Sequence, residues 1–566
     1  MSKVKKILVV AITRLGDMLQ ASPTIVGLKE QHPGAELTVA IEKSFASICK
    51  GIPGIDDVFE IDLNYVCQCL AREREGLVDA YRYLDNAVEE LRRRDYDFVL
   101  NMSSSGYTAL LLRMLNVRDM RGWVSDEEGN RLILDPWAML FSAFVYHSNR
   151  DYNSINLVDI FRCAAGVTKH PRTLMYNVPP ETNDFVDTFL AENGIDGDGP
   201  LIAIQVGASQ GKRQWSPPRF AHLARLLIEK LNARLVFTGS GSEEPIVSSV
   251  FKIYNHPRMV SAVGKTDLSQ LGAILKRCET LVTGDTGTMH LSVAVGTPVV
   301  ALFLASALCF ETGPYSSGNI VLQPQITCNP CNPNLPCSRP DCHEQISPEL
   351  LCELVKLRTE KSNSELLEME LSREKADPAQ VAVFVTTFDE DGFCRFQQVN
   401  GASARNGFSD RYFDAARESY RSLWKSEFAS VPIREAIDRW STESSPEALQ
   451  VSGSVRSVIE LTHEAQRLLD QLCHLIQDDK SPPYLLGATS EAISTVERSI
   501  EDLGLSNAIL GAAIRMFIME KENLRGDDPL FLALETKRIY DTLSRRCDLF
   551  NKLYRFHSQE PQGSYS

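Results

Sequence analysis

Short, unbroken apolar runs, each closed by a turn and followed by a helical stretch, recur through about the first 300 residues. The first is Lys6-Ile-Leu-Val-Val-Ala-Ile12, and 35–41, 58–61 and 97–101 repeat it. A short run that is apolar at every position fits a parallel strand buried on both faces. Strand and helix in alternation predict an α/β domain with a parallel sheet. The pattern breaks at Val178-Pro179-Pro180 and again at Gly197-Asp-Gly-Pro200, then restarts with strands at 201–206, 234–238, near Val260 and at 280–282. Two α/β units in tandem follow, with a hinge near 180–200. Open parallel sheets bind ligands beyond the carboxyl ends of their strands. The segments 14–17, 207–215, 239–244 and 284–298 all fall there.

Beyond about residue 345 the character changes. Ser347-Pro348-Glu349 opens a helix that runs through a charged segment to Lys375, and 381–388 and 393–399 read as a hairpin across Asp389-Glu-Asp-Gly392. From Ser409 the pattern is mostly helical, with a disordered tail from Ser558. The expected domains are 1–180, 181–350, a helical linker 351–378, and a hairpin with helical extension over 379–566. A chain of 566 residues is too long for one core. Its net charge of −15 argues against a general nucleic-acid binder. No apolar run is long enough for a transmembrane segment, and the short run at 7–12 reads as a first strand rather than a signal peptide. A cytoplasmic protein is expected.

Candidate chemistry sits in five places. At 284–298 an apolar strand stops at Gly-Asp285-Thr286-Gly287-Thr-Met-His290, and a short helix follows that Gly296 and Pro298 close. Unpaired N–H groups at the start of such a helix suit a diphosphate, flanked here by Asp285 and His290. The loop after 201–206 carries Ser209, Lys212 and Arg213 beside Trp215, and its adjacent cations can pair with phosphate oxygens. In Gly239-Ser-Gly-Ser-Glu243-Glu244 the glycines allow close backbone approach, and either carboxylate can hold ribose hydroxyls. Asp17, at the end of the first strand, can serve as a general base or as an ordinary cap of the first helix. Finally, Cys328, Cys331, Cys337 and Cys342 place four soft ligands within fifteen residues, enough to close a structural zinc or iron site, with Cys309 and His343 as substitutes.

In combination these segments resemble glycosyltransferase family 9, the bacterial heptosyltransferases, over residues 1 to about 355. The motifs in order are Arg14-Leu-Gly-Asp17, Ser22-Pro23, Pro33–Val39, Gly207-Ala-Ser209 with Arg213-x-Trp215, Asp285–His290, Gly296–Phe303 and Thr312-Gly-Pro-Tyr315. The resemblance implies a GT-B fold, two Rossmann-like domains across a cleft, with acceptor on the first and nucleotide-sugar on the second. It implies an inverting transfer from ADP-heptose without a catalytic metal, and Asp17 as the base. Donor binding would fall to Ser209, Lys212, Arg213, Glu243 or Glu244, Asp285, Thr286, Gly287 and His290. Arg213 stands where the family has Lys. The cysteines and the Arg150–Asp159 segment resemble the protein-modifying autotransporter subset, which carries a four-cysteine iron motif and forms large homo-oligomers. The implied acceptor is therefore a protein serine, a lipopolysaccharide core sugar or another glycan. Two other classes compete: a non-catalytic GT-B-like scaffold that recruits partners through its helical extension, and a nicotinamide enzyme. The last is disfavoured because Thr13–Gly16 lacks the dinucleotide glycines.

Overall fold

In the computed structural model the apolar run at 6–12 becomes β1 (Lys6–Val10), buried from Ile7 to Val10. It lies inside a sheet with β2 (Glu36–Glu42), β3 (Asp57–Ile61), β4 (Phe98–Asn101), β5 (Asp119–Ser125) and β6 (Arg131–Ile133), in the order β3-β2-β1-β4-β5-β6. The pairs among β1 to β5 are parallel. The structure describes every residue except 1–3, 13, 146, 196, 361–376, 378, 401–403, 406–407, 434–445, 479 and 560–566.

The second sheet uses β7 (Leu201–Gln205), β8 (Arg234–Thr238), β9 (Met259–Ser261), β10 (Thr280–Gly284), β11 (Val299–Leu302) and β12 (Ile320–Pro324) as parallel strands. Its order is β14-β13-β12-β11-β10-β7-β8-β9, so the winding reverses between β7 and β10. In the first sheet the reversal lies between β1 and β4. A crevice opens beyond the strand ends at such switch points. The two doubly wound sheets are the GT-B architecture that the sequence implies.

Two groupings differ from the sequence-based boundaries. The hairpin assigned to the extension forms β13 (Val381–Phe388) and β14 (Cys394–Gln398), and β13 pairs antiparallel with β12. Its register, Leu322 opposite Val383 and Ile320 opposite Val385, covers what would otherwise be a long apolar edge. A boundary at 379 therefore cuts the second sheet. Residues 132–154, placed in the first domain, instead form a compact unit with 406–566, while 1–131 and 155–405 form the other. The cause is the helix Pro136–Phe144, apolar around nearly its whole circumference, whose Trp137 and Phe144 meet the edges of Phe428 and Tyr420.

The helical unit has helices at Asp410–Ala429, Pro446–Gln477, Pro483–Ser506, Ala508–Glu522 and Pro529–Gln559. Tyr420, Trp424 and Phe428 stack in sequence at one-turn spacing, with ring centroids 5.7 and 5.5 Å apart. Arg546, 3% exposed, donates to all four carboxylate oxygens of Glu427 and Glu520, its Nε 3.0 Å from both Glu427 oxygens, its Nη1 2.9 Å from Glu520 Oε2 and its Nη2 2.7 Å from Glu520 Oε1. The linker helix is observed over Pro348–Glu360; its expected continuation to Lys375 lies outside the described residues, as does the tail from 560. No helix among the described residues is long and apolar enough to cross a membrane.

Candidate active site

The loop leaving β7 passes under a carboxylate. A Cβ added at Gly207 would lie 1.1 Å from Glu243 Oε1, and one at Gly239 would lie 2.6 Å from Oε2, so a side chain at either position would displace Glu243 from this pose. Glu243 accepts Gln205 Nε2 (2.9 Å) and the backbone N–H of Ser240 (2.6 Å), while Gln205 in turn accepts Thr238 Oγ1 (3.0 Å). These bonds hold Glu243 across the ends of β7 and β8. Glu244 points elsewhere: it is exposed and accepts Ser248 Oγ at 3.3 Å on its own helix.

The same loop ends in a short turn, Gly211–Arg213, that sends its two cations in different directions. Arg213 Nη1 donates to Asp285 Oδ2 at 3.0 Å and Nε to Ser306 Oγ at 2.8 Å, and Thr312 Oγ1 donates to Asp285 Oδ1 at 3.2 Å. This group lies beyond the adjoining strands β7 and β10. Burial raises the Asp285 carboxyl pKa, against the pull of Arg213. Lys212 does not join it. Its ammonium donates to the carbonyls of Asn332 (2.9 Å), Pro333 (3.0 Å) and Leu335 (2.7 Å). The proline- and asparagine-rich cysteine loop leaves those carbonyls outside any strand or helix, and an ammonium has three donors to satisfy them. The structure therefore places the Lys212 ammonium on the cysteine loop and not beside Arg213 and Asp285. Ser209 is exposed on the loop before it.

Two helices begin face to face. Leu15–Gln31 starts after β1 and Gly287–Ala294 after β10. A Cβ on Gly16 would come within 3.1 Å of His290 Cδ2, and one on Gly287 within 3.0 Å of Leu15 Cδ2. Glycine at both positions leaves room for this close approach of the two N-termini, which brings their positive dipole ends together. Thr286 caps the second helix, its Oγ1 accepting Met289 N–H at 3.4 Å. Asp17 sits in the first turn of the first helix, partly buried, and accepts the Arg14 N–H at 3.3 Å. The cap reading is thus realised, and the same carboxylate is near enough to Asp285 to raise its pKa. His290 is 3% exposed, and its Nδ1 has no hydrogen-bond partner. Burial lowers its pKa to about 4, which keeps the imidazole neutral near pH 7.

Cys328 and Cys337 are exposed, Cys331 is half-buried and Cys342 is buried. Cys331 hydrogen-bonds Cys328 and lies within electrostatic reach of Cys337 and Cys342; burial and these neighbours push its thiol up to about 11. Among the described residues no three such ligands converge tightly enough to form a metal-holding group. His343 is engaged elsewhere, its Nε2 2.9 Å from the Lys212 carbonyl oxygen.

The family model of glycosyltransferase family 9 (heptosyltransferase) matches residues 86–338. This segment belongs to glycosyltransferase family 9. The chain is 24% identical over 310 residues to lipopolysaccharide heptosyltransferase 3 of Escherichia coli, covering 54% of this chain and 85% of that protein. It is 23% identical over 322 residues to lipopolysaccharide heptosyltransferase 2 of Salmonella typhimurium, covering 55% and 86% respectively. A solved family 9 glycosyl transferase from Veillonella parvula superposes with a TM-score of 0.46 at 22% identity, covering 57% of this chain and 86% of that one. The chain is accordingly a heptosyltransferase-like glycosyltransferase. Sequence reasoning assigned no part to Ser306 or Gln205, which fix Arg213 and Glu243. Their signal was available, since both lie at or just beyond the carboxyl end of a strand in the second sheet.

Proposed function

We propose that this family 9 transferase moves a heptose from ADP-heptose onto a hydroxyl of a glycan or protein with inversion at the anomeric carbon. The observation that carries the reading is the convergence of two helix N-termini at Gly16 and Gly287 beside Arg213. Amides and a guanidinium fixed in advance stabilise negative charge as it develops on a leaving diphosphate. Neutral His290 adds a hydrogen-bonding ring without a competing charge. Glu243 takes the ribose hydroxyls, and Asp285 orients Arg213. Asp17 accepts the acceptor's proton while the acceptor oxygen bonds the anomeric carbon and the sugar–phosphate C–O bond breaks, leaving ADP.

No step in this reading uses a metal. Cys328, Cys331, Cys337 and Cys342 are soft donors of the kind that hold structural iron or zinc, but among the described residues they are not gathered into a group that could hold either ion. The resemblance of the cysteine spacing and of residues 150–159 to the autotransporter subset extends the reading to a homo-oligomer.

The test pairs a thermal-shift panel of nucleotide-sugars with mass spectrometry of co-expressed candidate acceptors. ADP-heptose is expected to stabilise the protein and to leave a heptose mass increment on the acceptor. Asp17→Asn is expected to lower kcat by about a hundredfold or more with ADP affinity unchanged. Stabilisation by no nucleotide-sugar, or full turnover in Asp17→Asn, would overturn the reading.

A further inference from the structure

Beyond the carboxyl ends of β2 and β3 an open cleft of about 540 Å³ lies against the helices Leu63–Leu70 and Glu73–Arg93. Its frame is tied together. Asp62 Oδ2 accepts the Lys43 ammonium at 3.1 Å and Oδ1 the Tyr65 N–H at 2.8 Å, while the Tyr83 hydroxyl accepts the Asp62 N–H at 2.7 Å. The Tyr65 and Tyr83 rings lie 5.3 Å apart at 59°. Glu60, Asp79, Arg82 and Asn86 line the same cleft and make no hydrogen bond to another described residue. Two carboxylates stand against one guanidinium in that unengaged set, so the cleft draws a basic ligand and repels a phosphorylated one.

Beside the cleft the apolar stripe of the second helix runs off its support. Leu77, Tyr81, Leu84, Val88 and Leu91 share one face at helical spacing. Val88 and Leu91 are 2% and 1% exposed, but Tyr81 and Leu77 are 66% and 59% exposed. A sugar chain could meet the polar cleft with its hydroxyls, yet it has no aliphatic side chains for this stripe. A polypeptide has groups for both. The cleft also shares an edge of the first sheet with Asp17: β3 stands two strands from β1, about 10 Å at the usual spacing, which about three residues of extended chain span.

We propose that the cleft and the stripe beside it seat a polypeptide acceptor, with basic and apolar side chains flanking the hydroxyl that receives the sugar. The proposal rests on the transferase reading above and narrows its acceptor from glycan or protein to protein. Glu60 and Asp79 select charge, Leu77 and Tyr81 take apolar side chains, and none of the four touches the reacting atoms.

The test uses the full chain and two labelled synthetic peptides, one of Lys, Leu and Ser and one with Glu in place of Lys. Binding is followed by fluorescence anisotropy, with ADP titrated calorimetrically into the same samples. Wild type is expected to bind the basic peptide about tenfold more tightly than the acidic one. Glu60→Lys with Asp79→Lys is expected to reverse that preference at unchanged ADP affinity, which a folding defect would not do. Leu77→Ser with Tyr81→Ser is expected to weaken both peptides about tenfold. Glu30→Lys with Glu36→Lys changes net charge equally at the other edge of the sheet, where the first helix ends and β2 begins, and is expected to keep the wild-type preference. A reversal there too would reduce the preference to overall charge and overturn the proposal, as would a wild type that binds neither peptide. Heptose transferred to lipopolysaccharide core oligosaccharide and to neither peptide also overturns it and leaves the transferase standing. A chain that binds no ADP sinks the transferase reading as well.

Discussion

The transferase unit holds two Arg–Asp pairs that are chemically alike and differently placed. Arg162 and Asp159, 4% and 0% exposed, lie 2.7 Å apart and are sealed from solvent, with Arg162 Nη2 left without a hydrogen-bond partner. Asp159 accepts Tyr315 OH (2.9 Å) and the Cys394 N–H (2.9 Å), His170 Nε2 meets the Tyr315 hydroxyl (3.0 Å), and the Phe393 ring covers the guanidinium at 4.2 Å. Arg213 and Asp285, 18% and 14% exposed, lie 3.0 Å apart at a strand switch point and leave Arg213 Nη2 with no bond to a described residue. Burial raises both aspartate pKa values against the pull of their arginines. The first pair joins the segment 155–172, the Tyr315 loop and the β13–β14 hairpin. The second keeps partial access to solvent. On the proposed function, like charge chemistry serves cohesion where the pair is sealed and donor binding where the pair keeps access to solvent.

The sharpest way to break this contrast is Asp159→Ala. It strands a buried guanidinium and should cost about 3–5 kcal/mol of stability in urea denaturation. ADP affinity of the protein that remains folded should not change. A mild stability loss with a large affinity loss would merge the two pairs into one functional class.

His290 lies between the cases, sealed like Asp159 yet without a partner at Nδ1. Its folded pKa of about 4 lies below the ordinary value of 6.5, so the unfolded chain binds the extra proton first. Stability from this group is complete above pH 6.5 and is lost as pH falls toward 4, a span of about 3 kcal/mol. His290→Leu should flatten that part of the pH–stability curve. A curve with the same slope would place the imidazole in contact with water.

A smaller effect separates the two neighbouring carboxylates. Glu243→Gln should weaken ADP about tenfold by disturbing its hold on ribose, whereas Glu244→Gln should leave affinity unchanged. Equal losses would mean that the geometry around Gly207 does not select the ligand-facing group.

Much of this was legible in the sequence, and what was not has local physical causes. Fully apolar runs set the strands of both sheets, because a strand buried on two faces tolerates little else. The Asp285–His290 turn was readable because a capped helix start has its own chemistry. The direction of Lys212 was not readable: adjacent residues on a turn diverge, and its acceptors lie about 120 residues away in the cysteine loop. Glu243 and Glu244 could not be told apart until the Gly207 backbone was seen beneath one of them. The hairpin and residues 132–154 were misgrouped because apolar patterning shows that a face is buried but not which neighbour buries it.

The central claim, that the open Arg–Asp pair is the donor diphosphate seat, is tested most directly by titrating ADP calorimetrically into wild type and Arg213→Met while following the unfolding midpoint of each. The account predicts an affinity loss of about fiftyfold with a smaller drop in the midpoint than Asp159→Ala causes, since Arg213 and Asp285 keep partial access to water where Arg162 and Asp159 do not. Unchanged affinity, or a loss that merely tracks unfolding, would contradict it.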